Sequence, residues 1–459
     1  MNSELINTLA QIVGQAHVST GDSVRRLHSG DESSHHPVLP EAVVWPETTA
    51  QVSQIAKLAN ENLIPITGWG AGTSLEGNSI PLKGGIVIDF GRMNQIITLH
   101  ESDFQVTVQP GIFYKDMNKK LQRNGLFFAP DPGANASIGG MIANNAAGTR
   151  TVRYGATRDN VLALEVVLAN GEIIRTGSRS VKQSAGYNLT HLFTGSEGTL
   201  GLITEATLKL HPLPEHFSAA LATFSTTSEA ADAVYAIIGS GLNPAAIEML
   251  DAEAIRYMNM LDTVNLPQKP TLLMEFHGAT EEAISAELEL VKELCNECGS
   301  TRFEAGVGRD ERNRLWEGRH ALGEILFRVH PDSTYLLTDV SVPISKYPDL
   351  ASYAKSLQHD LNMKGTLFGH AGDGNLHTVN FALKDDPEQY AVLEQFNDLV
   401  VQKAIEFGGT CTGEHGVGIG KQKYMVYEHG EGAIDVMRQL KSMFDPHNIL
   451  NPGKVVSLG

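Results

Sequence analysis

Two stretches of the chain, residues 65–81 (PITGWGAGTSLEGNSIP) and 129–150 (APDPGANASIGGMIANNAAGTR), are crowded with Gly, Ala, Asn, Ser and Thr. Each follows an apolar, strand-like run and breaks the periodicity around it. Small residues let backbone N–H groups approach a ligand closely, and successive N–H groups form a nest for an anion, a diphosphate above all. The same residues also build plain turns. At this level both readings stand.

The surrounding pattern mixes helix and strand. Leu5, Ile6, Leu9, Ile12 and Val13 recur at helical spacing and Gly14 can end that helix. Residues 49–64 read as an amphipathic helix with Val52, Ile55, Ala56 and Ala59 on one face. Ile86 to Ile88 is a short buried strand, and Phe104, Val106 and Val108 alternate as a half-buried strand does. Tyr114 to Arg123 reads as helix, stopping at Gly125. Residues 164–175 predict a hairpin with Asn170-Gly171 as a primed turn. His211-Pro212-Leu213-Pro214 marks a boundary, after which glycines thin out. Helices are predicted over 227–239 and 281–297, and a strand over Thr271 to Phe276.

Neither common nucleotide fingerprint is present. Gly68, Gly70 and Gly72 give G-x-G-x-G with no helical pattern opening behind them, which excludes a Rossmann site. Gly416 to Lys421 has His415 where a phosphate loop begins with glycine, and Gln422 where a hydroxyl belongs, which excludes a Walker site.

A different constellation lies in the second half. His370 and His377 flank a Gly-Asp-Gly turn, and Glu414 and His415 sit between glycines further on. Fully extended, the two histidines would lie up to about 25 Å apart. The glycines allow the chain to fold back so that both rings converge. Two imidazoles and a carboxylate satisfy the three-ligand rule for a catalytic divalent ion with an open position, leaving His415 as a base. A polar turn network or an anion site built from the same loops are the competing readings.

Composition bounds the rest. The chain has 459 residues, enough for two or three domains with real cores, and a formal charge of −18, which argues against nucleic-acid or anionic-membrane binding. Its three cysteines cannot frame a disulfide scaffold, and Cys295-x-x-Cys298 lacks the second pair a zinc cage needs, so a reducing compartment is expected. No basic or Arg-rich targeting segment opens the chain, and no apolar run reaches the roughly 20 residues needed to span a bilayer. A soluble, cytoplasmic protein is expected, with peripheral association at the inner membrane left open.

Six segments together carry a family resemblance over nearly the whole chain: PITGWGAGTSLEGN, PDPGANASIGGMIANNAAGTRTVRYGATRDNVLALEVVLANGE, SAGYNLTHLFTGSEGTLGLIT, GHAGDGNLH, GGTCTGEHGVGIGK and FDPHNILNPGK. The chain resembles the FAD-dependent D-lactate dehydrogenases of the vanillyl-alcohol oxidase and p-cresol methylhydroxylase superfamily. It is similar too to the glycolate oxidase flavin subunit and D-2-hydroxyglutarate dehydrogenase. The resemblance implies an α+β fold. A two-lobed FAD-binding domain would span 1–214, with its core over about 37–214. A substrate (cap) domain with an antiparallel sheet and helices would span 215–440, and a tail, 441–459, would return to the flavin. Carried over by position, Trp69, Gly70, Ala71, Gly72, Thr73 and Ser74 would cradle the FAD diphosphate. Pro130, Asp131, Ser137, Gly140, Asn144 and Gly148 would line the flavin, with Gly198 and Ile203 further along. Asn451 would reach the ring or the substrate edge. No His or Cys tether lies in 68–74, which implies non-covalent FAD.

The resemblance makes His370, His377 and Glu414 ligands of a divalent metal (zinc, manganese or iron), His415 the catalytic base and Arg319 the holder of the substrate carboxylate. A guanidinium fork suits that task, being planar and always charged. Thr338, where the 2-hydroxyglutarate enzymes carry lysine, argues against a dicarboxylate. The implied reaction is oxidation of a D-2-hydroxy acid, foremost D-lactate to pyruvate, by metal-assisted proton abstraction and hydride transfer to flavin N5. Electrons would pass to a cytochrome, a quinone or an electron-transfer flavoprotein. The alternatives are a flavin subunit of a glycolate-oxidising complex, a D-2-hydroxyglutarate dehydrogenase, or a non-catalytic metal-binding scaffold on a degenerate flavin fold.

Overall fold

The computed structural model describes residues 1–307 and 309–458. The chain divides into two compact units: Met1–Ala147, Gly155–Leu213 and Glu414–Gly459 form the first, and Gly148–Tyr154 with Pro214–Gly413 the second. Each is a mixture of helices and sheets.

The first unit has two lobes. One holds a four-stranded sheet in the order Val18–Ser19, Ala42–Val44, Ile86–Asp89, Ile66–Trp69, the last three parallel. Helix Thr49–Glu61 covers it because Val52, Ile55, Ala56 and Ala59 share one buried face, and Thr48 caps its start by accepting from the Gln51 amide. The other lobe is an antiparallel five-stranded sheet ordered Ile96–His100, Gln105–Val108, Leu202–Lys209, Val161–Val167, Ile173–Gly177. Helices Tyr114–Leu121 and Ile138–Asn144 bury Met117, Leu121, Met141 and Ile142 in its core.

The predicted hairpin forms, with Val166 opposite Ile174 and Val167 opposite Ile173. Its turn differs. The Gly171 amide donates to Leu168 O, so Ala169 and Asn170 are central, and only Gly171 has a positive φ, +84°. The loop is five residues long, not two, so glycine supplies the left-handed step after an ordinary turn and the primed turn is not needed.

The first unit also takes back residues 414–459, a longer return than the tail 441–459. Ile66 bridges Leu450 in parallel, and buried Lys441 donates to Asp445, Thr199 O and Leu450 O. Asp445, fully buried, also accepts the Ile449 and Leu450 amides.

The second unit is built on a seven-stranded, wholly antiparallel sheet. Its order is Arg302–Val307, His216–Thr223, Thr271–Gly278, Ala246–Leu250, Lys364–His370, Asn375–Leu383, Ser333–Ser341. Helices Thr227–Gly239 and Glu281–Glu297 lie where the periodicity predicts, the first opened by a Thr226/Glu229 capping box. Leu250, Leu273, Phe368 and Val379 of the sheet pack against Leu315, Trp316, Leu322 and Ile325 of two further helices. Cys295, Cys298 and Cys411 are joined in no disulfide, and burial pushes Cys295 up to about 12, so it is an inert core group. Among the described residues no helix is long and apolar enough to cross a membrane.

Asp445→Ala is expected to cost about 3–5 kcal/mol, because it leaves the Lys441 ammonium buried without its counter-charge. Urea unfolding followed by circular dichroism measures it; a loss below about 1 kcal/mol would show that the return segment does not depend on this pair.

Candidate active site

The first unit contains an open cleft, with about 1310 Å³ of empty space when the solvent at its mouth is included. Trp69 to Ser74 run along it, and Ser137, Gly140, Asn144, Gly198, Ile203 and Asn451 line it as well. So do Glu414 and His415. Three expected residues do not. Pro130 is buried, and Asp131 accepts from the Tyr114 hydroxyl (2.6 Å) and the Gly133 amide, while the neighbouring Pro132 takes the lining position. Gly148 belongs to the second unit.

The glycines have separate reasons. A Cβ on Gly70 would overlap the Ser137 hydroxyl, because the end of strand Ile66–Trp69 meets the start of helix Ile138–Asn144 there. Gly72 has φ +70°, and a Cβ would lie 2.6 Å from the Trp69 ring folded over it. Glycine at both positions therefore lets the backbone pack closely here, beside the cleft that Gly70, Ala71 and Gly72 line.

Glu197, not anticipated from the sequence, organises one wall. It is a non-glycine residue with φ +53°, is 5% exposed, and lines the cleft. Its carboxylate accepts from Asn78 Nδ2 (2.8 Å), Val417 N (2.6 Å) and Gly418 N (2.9 Å). Burial pushes its carboxyl above the usual range, against the pull of these donors and of Lys454. The loop amides that resemble a phosphate loop thus already hold a protein carboxylate. Gly416 at φ +80° would set a Cβ 2.8 Å from both Asn78 and Glu197. His415 is fixed by this loop, and its carbonyl accepts from Asn144 Nδ2 at 3.4 Å. The Asn451 amide nitrogen donates to Asn78 O (2.8 Å) and Glu197 O (2.7 Å), so it ties the wall together while lining the cleft. An acidic residue inside Gly195-Ser196-Glu197-Gly198 was the only local signal for Glu197.

The second unit gathers the histidines. His370 ends one strand and His377 sits in the next, joined by a turn at Gly374, where φ is +79° and a Cβ would strike Val342 O. The ring centroids are 5.4 Å apart. Each ring turns Nδ1 to a buried carboxylate: His370 to Glu248 Oε1 (2.5 Å) and His377 to Asp339 Oδ1 (3.5 Å). Glu248 Oε2 accepts from Arg319 Nε (2.6 Å), whose guanidinium lies 4.8 Å from the Phe368 ring. Arg319 is 8% exposed, so it is no surface cation. Burial pushes the Glu248 carboxyl up, but Arg319 and His370 together outweigh it and hold it below the usual range. Asp339 also accepts from Asn375 Nδ2 (2.7 Å), Thr412 Oγ1 (3.0 Å) and Gly413 N (2.8 Å).

Thr338 lies on the other face of the strand. Strand alternation turns it away from Asp339, and its hydroxyl donates to Asn397 Oδ1 at 2.9 Å. It does not face the histidines.

A glycine-floored cleft and a histidine pair backed by carboxylates suit a flavin- and metal-using oxidoreductase. The chain belongs to the FAD-linked oxidases: the profile described as "FAD linked oxidases, C-terminal domain" matches residues 213–455 and that of the "FAD binding domain" matches 40–177. It is 40% identical to the "Probable D-lactate dehydrogenase, mitochondrial" of Danio rerio, over 99% of this chain and 92% of the relative. It is 39% identical to the "D-lactate dehydrogenase [cytochrome], mitochondrial" of Arabidopsis thaliana (99% and 80%) and 38% identical to "Glycolate oxidase subunit GlcD" of Bacillus subtilis (97% and 95%). Among solved structures, 4-ethylphenol oxidase from Gulosibacter chungangensis superposes with a TM-score of 0.81 at 19% identity, over 99% of this chain and 97% of that one. P-cresol methylhydroxylase gives 0.79 at 20%, over 99% and 97%. The expected α+β, p-cresol methylhydroxylase-type fold is therefore correct.

The residues fit both groups. At Gly70 and Gly72 a Cβ would strike Ser137 and the Trp69 ring, so only glycine lets the backbone of this cleft-lining segment run so close to them. The His370 imidazole, with the Glu248 carboxylate on its Nδ1, keeps Nε2 for a divalent ion, and the neighbouring His377 ring is a second nitrogen donor of the same kind.

Gly70→Ala is expected to purify with little FAD, read from flavin absorbance per chain. A full flavin complement would show that the backbone here does not approach the cofactor.

Proposed function

We propose that the chain oxidises a D-2-hydroxy acid to the 2-oxo acid, with D-lactate to pyruvate as the reaction. The observation that carries this is Glu248 joining Arg319 to His370. It sets a guanidinium fork for a carboxylate beside a metal-ligating imidazole, the pair of groups a 2-hydroxy acid presents for recognition. The names of the D-lactate dehydrogenase relatives agree with it.

FAD when bound supplies a two-electron acceptor, and a divalent ion supplies Lewis acidity at the substrate hydroxyl. His370 and His377 would hold that ion. Glu414 is proposed as third ligand, following directly on Gly413, whose amide Asp339 fixes. Arg319 would bind the carboxylate and so set which face of C2 is presented. His415 would take the hydroxyl proton, as an imidazole can near neutrality. Trp69 to Ser74 would cradle the diphosphate without a covalent link, while Ser137, Gly140, Asn144, Gly198 and Ile203 line the flavin.

Electrons would leave to a non-nicotinamide acceptor, of cytochrome or quinone type. The second reading, a flavin subunit of a glycolate-oxidising complex, is favoured by the Bacillus subtilis relative.

D-lactate added anaerobically should bleach the flavin of the lone chain, and L-lactate should not. Bleaching by glycolate alone would favour the second reading, and none by any 2-hydroxy acid would end the proposal. His415→Ala should keep its flavin and lose turnover by about 10²–10⁴-fold; wild-type turnover would remove it as the base. Chelation should abolish turnover and a divalent ion restore it, with metal-free active enzyme as the contrary result.

A further inference from the structure

We propose that Glu248 is a positioning residue that sets the metal-ligating tautomer of His370 and the orientation of Arg319 with one carboxylate, so that ion and substrate carboxylate are held by a single coupled element. This rests on the roles proposed for Arg319 and His370.

Glu248 is fully buried in strand Ala246–Leu250. It stands directly opposite His370 in the antiparallel register with Lys364–His370. Such cross-strand neighbours keep their Cβ atoms about 4.5–5.5 Å apart, so the sheet fixes the carboxylate against the imidazole. Arg319 arrives from the last turn of helix Arg309–His320 and takes the other oxygen through Nε. Each carboxylate oxygen thus has one partner.

The chemistry follows from donor and acceptor counting. A carboxylate offers two acceptors and no donor. It can receive the His370 Nδ1 proton and the Arg319 Nε proton together. With Nδ1 protonated, the neutral imidazole has its lone pair on Nε2, the form a metal requires. With Nε engaged, the terminal amino groups of Arg319 remain to meet a substrate carboxylate. Glutamine has the same shape but one acceptor and one donor, so it cannot serve both. If its oxygen meets Arg319, its amino group faces Nδ1, the proton moves to Nε2 and the ligand is lost. If its oxygen meets His370, its amino group opposes the Arg319 N–H and the guanidinium must swing away.

The test uses FAD-loaded enzyme stripped by chelator, with Mn²⁺ alone as the probe. Glu248→Gln should bind Mn²⁺ about 10–100-fold more weakly, or raise KM for D-lactate by a similar factor, with its flavin content unchanged. Glu248→Asp keeps the counter-charge of Arg319 but is one methylene shorter. It reaches one partner only, and should show at least a tenfold loss in one of the same two readings even if the glutamine variant does not fold. A lower melting temperature with wild-type Mn²⁺ affinity and KM would overturn the inference and leave a merely structural role. If His370→Ala loses the ion while both Glu248 variants bind as wild type, the inference fails and the ligand reading stands. If wild-type enzyme binds no Mn²⁺, the ligand reading falls and takes this inference with it.

Discussion

A carboxylate withdrawn from water must be surrounded by donors, and three such groups hold the working parts of this chain in place. Glu197 gathers Val417, Gly418 and Asn78 in the first unit. In the second, Glu248 gathers Arg319 and His370, and Asp339 gathers Asn375, Thr412 and Gly413. Glu197 and Asp339 serve segments rich in glycine, where backbone conformation alone would be loose. The acceptors convert permissive loops into fixed ones.

The glycines make that close approach possible. At Gly413 a Cβ would overlap Asn375 Nδ2, and at Gly418, with φ +47°, it would overlap Glu76 O. Backbone N–H groups reach the carboxylates only because nothing projects between them. Glycine crowding in this sequence thus has two ends: a bare floor for the cofactor cleft, and loops tight enough to be held by a buried acid. The positive φ of Glu197 itself is a strained conformation that the surrounding donors over-determine.

The antiparallel sheet of the second unit gives the polar cluster its rigidity. Asp339 faces His377 and Glu248 faces His370 as register partners. Residues on strands are positioned to a fraction of an ångström by neighbouring ladders, which loops cannot match. The same alternation sends Thr338 to the other face.

Much of this was legible in the residues. Helices 49–61, 227–239 and 281–297, the hairpin at 161–177, the glycine floor and the folded-back histidine pair all follow from local rules: apolar spacing, capping residues, and turns that only glycine permits. Those rules act within a few residues, so the sequence carries them openly. The partners of Glu197, Glu248 and Asp339 lie at separations of up to 221 residues, and Asn451 ties two carbonyls distant in sequence. Which donor meets which buried acid depends on sheet order and register. Those are decided only when the whole core closes, since the energy of a buried charge is set by what surrounds it and not by what precedes it in the chain.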